Sequence, residues 1–253
     1  MAGRSYIRLV LYRILPFPIY LWFLCRMFFY SYDTGLLKRN NEYKYYYYLR
    51  KFVRRGFVII DIGANMGYFT RLFSVWTGPA GHVYAVEPVK QMRQQLKYNV
   101  RGRRNVTIYP YALGAEEKSV MLGNNSRARL GYLASGQHSV LTEDKSALDT
   151  FPAEMRRGSV LFRDLKRIDL IKCDVEGYEL VILGDMLQKI IAYKPAILLE
   201  SGGANRVEAF RLLTAEGYHC YRLEGGVLQP LTEADAAHDD LLYVHPQSNN
   251  PIA

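Results

Sequence analysis

From residue 57 onward, short runs of apolar residues alternate with stretches of helical period. "FVIID" (57–61) reads as a buried strand, because an unbroken apolar run of this length suits a strand covered on both faces. In "YFTRLFSVW" (68–76), Phe69, Leu72, Phe73 and Trp76 fall at i, i+3, i+4 and i+7, one face of a helix that Gly78 and Pro79 end. "HVYAVEP" (82–88) is a second strand, and Pro88 opens a helix continued by Val89, Met92 and Leu96. "VTIYPYAL" (106–113) is a third strand. "IDLIKCD" (168–174) and "PAILLE" (195–200) are the fourth and fifth, each leading into a helix, over 181–191 and 206–217. "YHCYRLEGG" (218–226) and "DLLYVHP" (240–246) close the chain as two strands of an antiparallel end. Residues 114–165 are irregular and charge-mixed, and read as a short hairpin and a loop.

Strands alternating with helices predict an α/β fold, a doubly wound, mainly parallel sheet with helices on both faces. One domain over 41–253 accommodates it, with 1–40 as a separate extension. Such sheets bind ligands at the carboxyl ends of their strands. The residues expected there are Asp61, Glu87, Asp174 with Glu176, and Glu200. Acids at buried strand ends are costly without partners, so a polyhydroxyl or cationic ligand explains them.

After Asp61 the chain turns sharply from strand to helix. Gly63 and Gly67 permit the turn and let a ligand come close to the backbone. A dinucleotide fingerprint needs glycines at 63, 65 and 68, whereas this chain has Gly63, Asn65 and Tyr68. Pyrophosphate, and with it an NAD-binding oxidoreductase, is disfavoured. Glu87, at the next strand end, can accept hydrogen bonds from two ribose hydroxyls, which points to a nucleoside with a thioether or sulfonium side against the loop.

"VIIDIGANMGYFT", "GHVYAVEP", "NVTIYPYALG", "IDLIKCDVEGYELVILGD" and "KPAILLE" occur in order with suitable gaps. Together they resemble the FkbM-type S-adenosylmethionine-dependent methyltransferases, a branch of the Rossmann-like class I fold. The resemblance spans roughly residues 41–246, with "KCDVEGYE" (172–179) its most specific block and 114–165 its weakest part. It implies S-adenosylmethionine as cofactor. By position, Asp61, Gly63, Ala64, Asn65 and Gly67 would line the methionine side, Glu87 would hold the ribose, and Ala112 and Leu113 would lie near the adenine.

Methyl transfer is an in-line displacement in which positioning does much of the work, and a hydroxyl acceptor benefits from a base. The expected catalytic pair is Asp174, near the cofactor's positive end, and Glu176, as acceptor-positioning group or base. Glu179 begins a helix and reads as a dipole partner, and Lys172 as the ion-pair partner of a neighbouring acid. Asp174, Glu176 and Glu200 are also hard oxygen donors, but a metal-free site is the expectation. His138, His219 and His245 are isolated, and none is assigned a role. The expected activity is O-methylation of a hydroxyl on a sugar, glycolipid or natural product. An N-methyltransferase and a non-catalytic adaptor retaining the fold are the alternatives; the intact loop, Glu87 and Asp174 argue against the adaptor.

Charge changes the picture at one end only. Residues 1–56 hold 11 Lys/Arg against 2 Asp/Glu, which accounts for the net charge of +9 of all 253 residues. The rest is neutral, giving no compositional support to nucleic-acid binding. Residues 1–40 combine arginine with Trp22, Tyr20 and several Phe, a mixture suited to lipid headgroups. The uncharged run 14–25 is too short to span a bilayer, Pro16 and Pro18 are expected to break a helix there, and no small-x-small cleavage site follows. A monotopic contact at the cytoplasmic face of the membrane is therefore expected, with a helical lid packed on the domain or a partner interface as alternatives. The tyrosine-rich helix expected over 41–56 reads mainly as packing. Cys25, Cys173 and Cys220 lie far apart and read as reduced thiols, in keeping with a cytoplasmic protein.

Overall fold

The structure, a computed structural model, describes residues 2–133, 138–141, 149–233, 237 and 239–249. Two helices lead, α1 (Ala2–Ile14) and α2 (Phe17–Asp33), followed by a 3-10 turn (Asn41–Tyr43) and α3 (Lys44–Phe52). The α/β body opens with β1 (Val58–Ile62), α4 (Tyr68–Thr77), β2 (His82–Val86), α5 (Lys90–Asn99) and β3 (Val106–Tyr109). An inserted region carries β4 (Tyr111–Gly114), β5 (Lys118–Asn124), α6 (Ser126–Leu130), β6 (Ser139–Val140), β7 (Asp149–Arg157) and α7 (Gly158–Leu161). The body resumes with β8 (Leu170–Cys173), α8 (Glu179–Tyr193), β9 (Ala196–Ser201) and α9 (Gly203–Ala215). It closes with β10 (His219–Glu224), β11 (Val227–Leu231) and β12 (Asp239–Val244).

The main sheet has the order β11-β10-β12-β9-β8-β1-β2-β3. The five strands from β3 to β9 are parallel, and β12 runs antiparallel to both β9 and β10. This is the expected doubly wound, Rossmann-like architecture. Successive strand residues serve opposite layers, as the two-residue period requires. Ile60, Ile62 and Ile171 pack with Ile182, Leu183 and Met186 of α8 and Leu213 of α9. Ile59 and Leu170 pack on the other face with Leu49 of α3 and Phe73 of α4. Strand order reverses where β1 lies between β2 and β8, the switch point at which such sheets bind ligands.

The sequence expectations need correction in several places. The third strand is two strands, because Pro110 lacks an N–H: β3 stays on β2, while β4 leaves for another sheet. Residues 114–165 are more than a hairpin and loop. They build a second sheet of order β4-β7-β5-β6. Helix α5 begins at Lys90, not Pro88, because Glu87 Oε1 accepts the Val89 N–H at 2.8 Å and holds the entry extended. The Gly225–Gly226 pair, both at positive φ, is the turn of a hairpin that adds β11.

The leading segment breaks at Pro16, as expected: α1 ends at Ile14 and a new helix starts at Phe17, while Pro18 interrupts nothing. Pro16 is the cap of α2 and Pro18 lies in its first turn, where backbone N–H groups have no intrahelical partner to lose. The inner face of α2 (Tyr20, Leu21, Cys25, Phe29) shares an apolar cluster with Met66, Leu72 and Met92. Among the described residues no helix is long and apolar enough to cross a membrane.

Candidate active site

The loop between β1 and α4 forms the floor of a cleft at the switch point. Gly63 has φ 72° and Gly67 has φ 81°, both in the left-handed region, with Asn65 between them at φ 51°. Asparagine tolerates that region better than other side chains, and here its Oδ1 accepts the Met66 N–H at 2.8 Å. A Cβ on Gly63 would fall 1.8 Å from the Asp174 carbonyl oxygen, so this residue must be glycine for β1 and β8 to meet at their ends. A Cβ on Gly67 would meet Leu96 of α5 at 2.4 Å.

Glu87 is buried, and its carboxylate knits this loop to β2. Oε2 accepts the Asn65 N–H at 2.7 Å and Oε1 accepts the Val89 N–H at 2.8 Å. Burial pushes the group up to about 7, against the lowering effect of those two hydrogen bonds and of Lys172 and Arg93. Two of roughly four acceptor positions on a carboxylate are thus engaged, leaving lone pairs for ligand hydroxyls.

Lys172 is buried between the ends of β1 and β8. Its Nζ donates to Asp174 Oδ2 at 2.9 Å and to the Gly63 carbonyl at 3.2 Å. Burial opposes its charge, but Asp174, Asp61 and Glu200 outweigh that and hold the ammonium above its ordinary value. Asp61 is fully buried: Oδ2 accepts from Thr70 Oγ1 at 2.5 Å, and among the described residues Oδ1 has no hydrogen-bond partner. Glu179, the first residue of α8, accepts the N–H groups of Val175 (3.1 Å) and Gly177 (2.9 Å). It shapes the loop over 174–178, in which Glu176 takes φ 56° and is exposed.

The cleft holds about 610 Å³ of empty space, with open solvent at its mouth included. Of the residues expected at the cofactor, Gly63, Asn65, Glu87, Ala112 and Leu113 line it, together with Asp174 and Glu176. Asp61, Ala64 and Gly67 are not among its lining residues: Asp61 holds Thr70 of α4, and Ala64 and Gly67 lie against Leu96 of α5. No Lys or Arg is among the described lining residues. Leu113, Leu122 and Val140 give the cleft an apolar part, and Glu87 gives it a carboxylate. A nucleoside that carries no phosphate fits this donor set.

A second pocket, with about 560 Å³ of empty space when open solvent at its mouth is included, adjoins the first and shares Asp174 and Glu176 with it. Glu200, Ser201 and Asn205 line its far side. Burial, with Asp174 and Asp240 adding to it, pushes Glu200 up to about 8. Asp240 is pushed up to about 6, chiefly by burial and then by Asp174. Asp240 was not expected here. Because β12 runs antiparallel, its first residues sit beside the end of β9, in register Asp240 with Glu200; the antiparallel closing strand was the signal that could have revealed it. His138 lines the first cleft, while His219 and His245 lie at the opposite end of the sheet. Among the described residues no group of three or more His, Cys, Asp or Glu is arranged to hold a metal.

The methyltransferase FkbM domain model matches residues 61–220, from the buried acid of β1 to β10 and so across both pockets. The chain belongs to the FkbM methyltransferase family. Among curated proteins, this FkbM-family chain is 25% identical to the AMB antimetabolite synthetase AmbE of Pseudomonas aeruginosa, over 70% of the chain and 11% of that protein. It is 27% identical to the protein-L-isoaspartate O-methyltransferase of Methanosarcina mazei, over 42% of the chain and 40% of that enzyme. The chain thus spans less than half the length of either relative. Among solved structures, the methyltransferase FkbM of Methylobacillus flagellatus matches with a TM-score of 0.48 at 16% identity, covering 76% of this chain and 44% of that one. Fibrillarin of Aeropyrum pernix, solved with natively bound S-adenosylmethionine, matches with a TM-score of 0.44 at 16% identity, covering 76% and 68%.

Proposed function

We propose that this FkbM-family protein transfers a methyl group from S-adenosylmethionine to a hydroxyl of a sugar, glycolipid or natural product. The observation that carries the reading is the pair of adjoining pockets that share Asp174 and Glu176. One suits a phosphate-free nucleoside, and the other is walled by carboxylates and Ser201. S-adenosylmethionine supplies an activated methyl group when bound. Glu87 would hold its ribose, Gly63 and Asn65 its methionine side, and Ala112 and Leu113 its adenine.

The protein's own chemistry is then positioning and proton removal. Asp174, held by Lys172, places its carboxyl group at the junction of the pockets. Glu176 projects from a loop that Glu179 holds, and takes the proton from the acceptor hydroxyl. Glu200, raised toward neutral pH by its surroundings, is a second group able to hold that proton. The carboxylate wall also suits an acceptor that carries an ammonium group, which keeps N-methylation as the second reading.

Incubation with labelled S-adenosylmethionine and a cell-envelope or metabolite extract tests the proposal. A labelled product whose methyl sits on oxygen supports it, and one with the methyl on nitrogen supports the second reading. Calorimetry showing no S-adenosylmethionine binding would leave a non-catalytic adaptor.

A further inference from the structure

The outward faces of α1 and α2 are apolar. On α1, Tyr6, Ile7, Val10 and Ile14 recur at helical spacing, with Tyr6 69% and Ile14 66% exposed. On α2, Ile19, Trp22, Met27 and Tyr30 do the same, with Tyr30 63% exposed. The inner face of α2 is occupied by the core, so this outer surface is a separate feature. Patches of this kind mark binding sites on soluble domains.

Its charges select the occupant. Arg13 and Arg26 are exposed among these residues, and the Arg26 guanidinium lies 5.8 Å from the Trp22 ring centroid. Lys38 and Arg39 extend the basic rim, and Asp33 and Glu42 are the only acids in the first 56 residues. Arginine beside tryptophan and tyrosine on an apolar helix face suits the headgroup zone of a bilayer. The apolar stripe also continues into a groove between α2 and α5, lined by Ile19, Trp22, Gln94 and Tyr98, which offers room for part of an acyl chain.

We infer that α1 and α2 form an in-plane docking surface for a bilayer that contains anionic lipid. The helices lie on the membrane without crossing it. Leu122 belongs to the same apolar cluster as Tyr20 and Phe29 and also lines the cofactor cleft, so the docked face lies close behind the active site. The inference stands apart from the identity of the acceptor.

Flotation of the full chain on phosphatidylcholine vesicles, with and without phosphatidylglycerol, tests it. Brominated acyl chains report the depth of Trp22, with W22F as the control that removes its signal. The expected result is about tenfold more bound protein on anionic vesicles, weakening as salt rises, and quenching that W22F abolishes. The triple variant Ile14→Glu, Ile19→Glu, Tyr30→Glu replaces exposed side chains only and is expected to stay unbound while retaining S-adenosylmethionine binding. Failure of the wild type to float on anionic vesicles at low salt, or equal flotation of the triple variant, would overturn the inference. So would light scattering that shows a dimer dispersed by the triple variant with no flotation, because a second copy would then cover the face.

Discussion

The Asn65 N–H donates to Glu87 Oε2 at 2.7 Å, so the side chain expected to grip the ligand also holds the loop that faces it. Replacing Glu87 with Ala leaves the N–H groups of Asn65 and Val89 without their acceptor. A buried donor left unsatisfied costs about 1–3 kcal/mol. Glu87→Ala is expected to lower Tm and to weaken S-adenosylmethionine binding by about a hundredfold. Calorimetry and a melting curve on the same sample measure both.

The same carboxylate sets a pH dependence. Its ordinary value of 4.5 is raised to about 7 in the folded chain. Between those values the folded state keeps a proton that the unfolded state has released. Stability from Glu87 therefore falls as pH rises through this window. Cofactor binding goes the other way, since ribose hydroxyls need the ionised carboxylate as acceptor. Affinity should rise from pH 4.5 to 7 and then level off, and Glu87→Gln should flatten the profile.

Glu200 allows the stability effect to be isolated. Raised from 4.5 to about 8 by burial and by Asp174 and Asp240, it disfavours the folded state increasingly as pH climbs. Glu200→Gln is expected to raise Tm by about 2–4 °C at alkaline pH and to leave it unchanged near pH 4.5. Melting curves across the range would expose the crossover; an equal shift at every pH would rule out this origin.

Gly63→Ala tests the junction of β1 and β8. The added carbon meets the Asp174 carbonyl at 1.8 Å in a backbone conformation with φ 72°. Accommodating it requires the two strand ends to part, at a cost of about 1–3 kcal/mol. S-adenosylmethionine binding should be lost in calorimetry, even where circular dichroism shows the fold retained.

Glu176→Gln separates chemistry from binding. Glu176 is exposed and lies between the two pockets. Loss of a general base costs typically 100- to 10,000-fold in rate, on the order of 3–5 kcal/mol. Turnover should fall by that factor while S-adenosylmethionine affinity stays within about twofold. A parallel loss of affinity would reassign Glu176 to cofactor binding.

The parallel strands were legible because each is a short apolar run bounded by glycine, proline or acids, and each lies in the main sheet as expected. The second sheet was not, and Pro152 shows why. It sits within β7, where a proline argues against a strand inside a sheet. Yet β4 pairs with β7 only from Glu154 onward, so at Pro152 the strand has β5 on one side alone and no partner needs the missing N–H. The candidate site was legible where function follows chain order, as for Glu87 and Asp174. Asp240 was hidden because its place depends on strand direction, and the supporting role of Asp61 because burial is a property of the folded neighbourhood.

Cys25 of α2 lies 3.8 Å from Met66, sulfur to sulfur, directly beneath the glycine turn. The leading helices are therefore scaffolding for this turn. A proteolytic nick between α2 and α3 that let them drift away would lay bare Met66, Leu72 and Met92 and soften the seat on which the nucleoside is expected to rest.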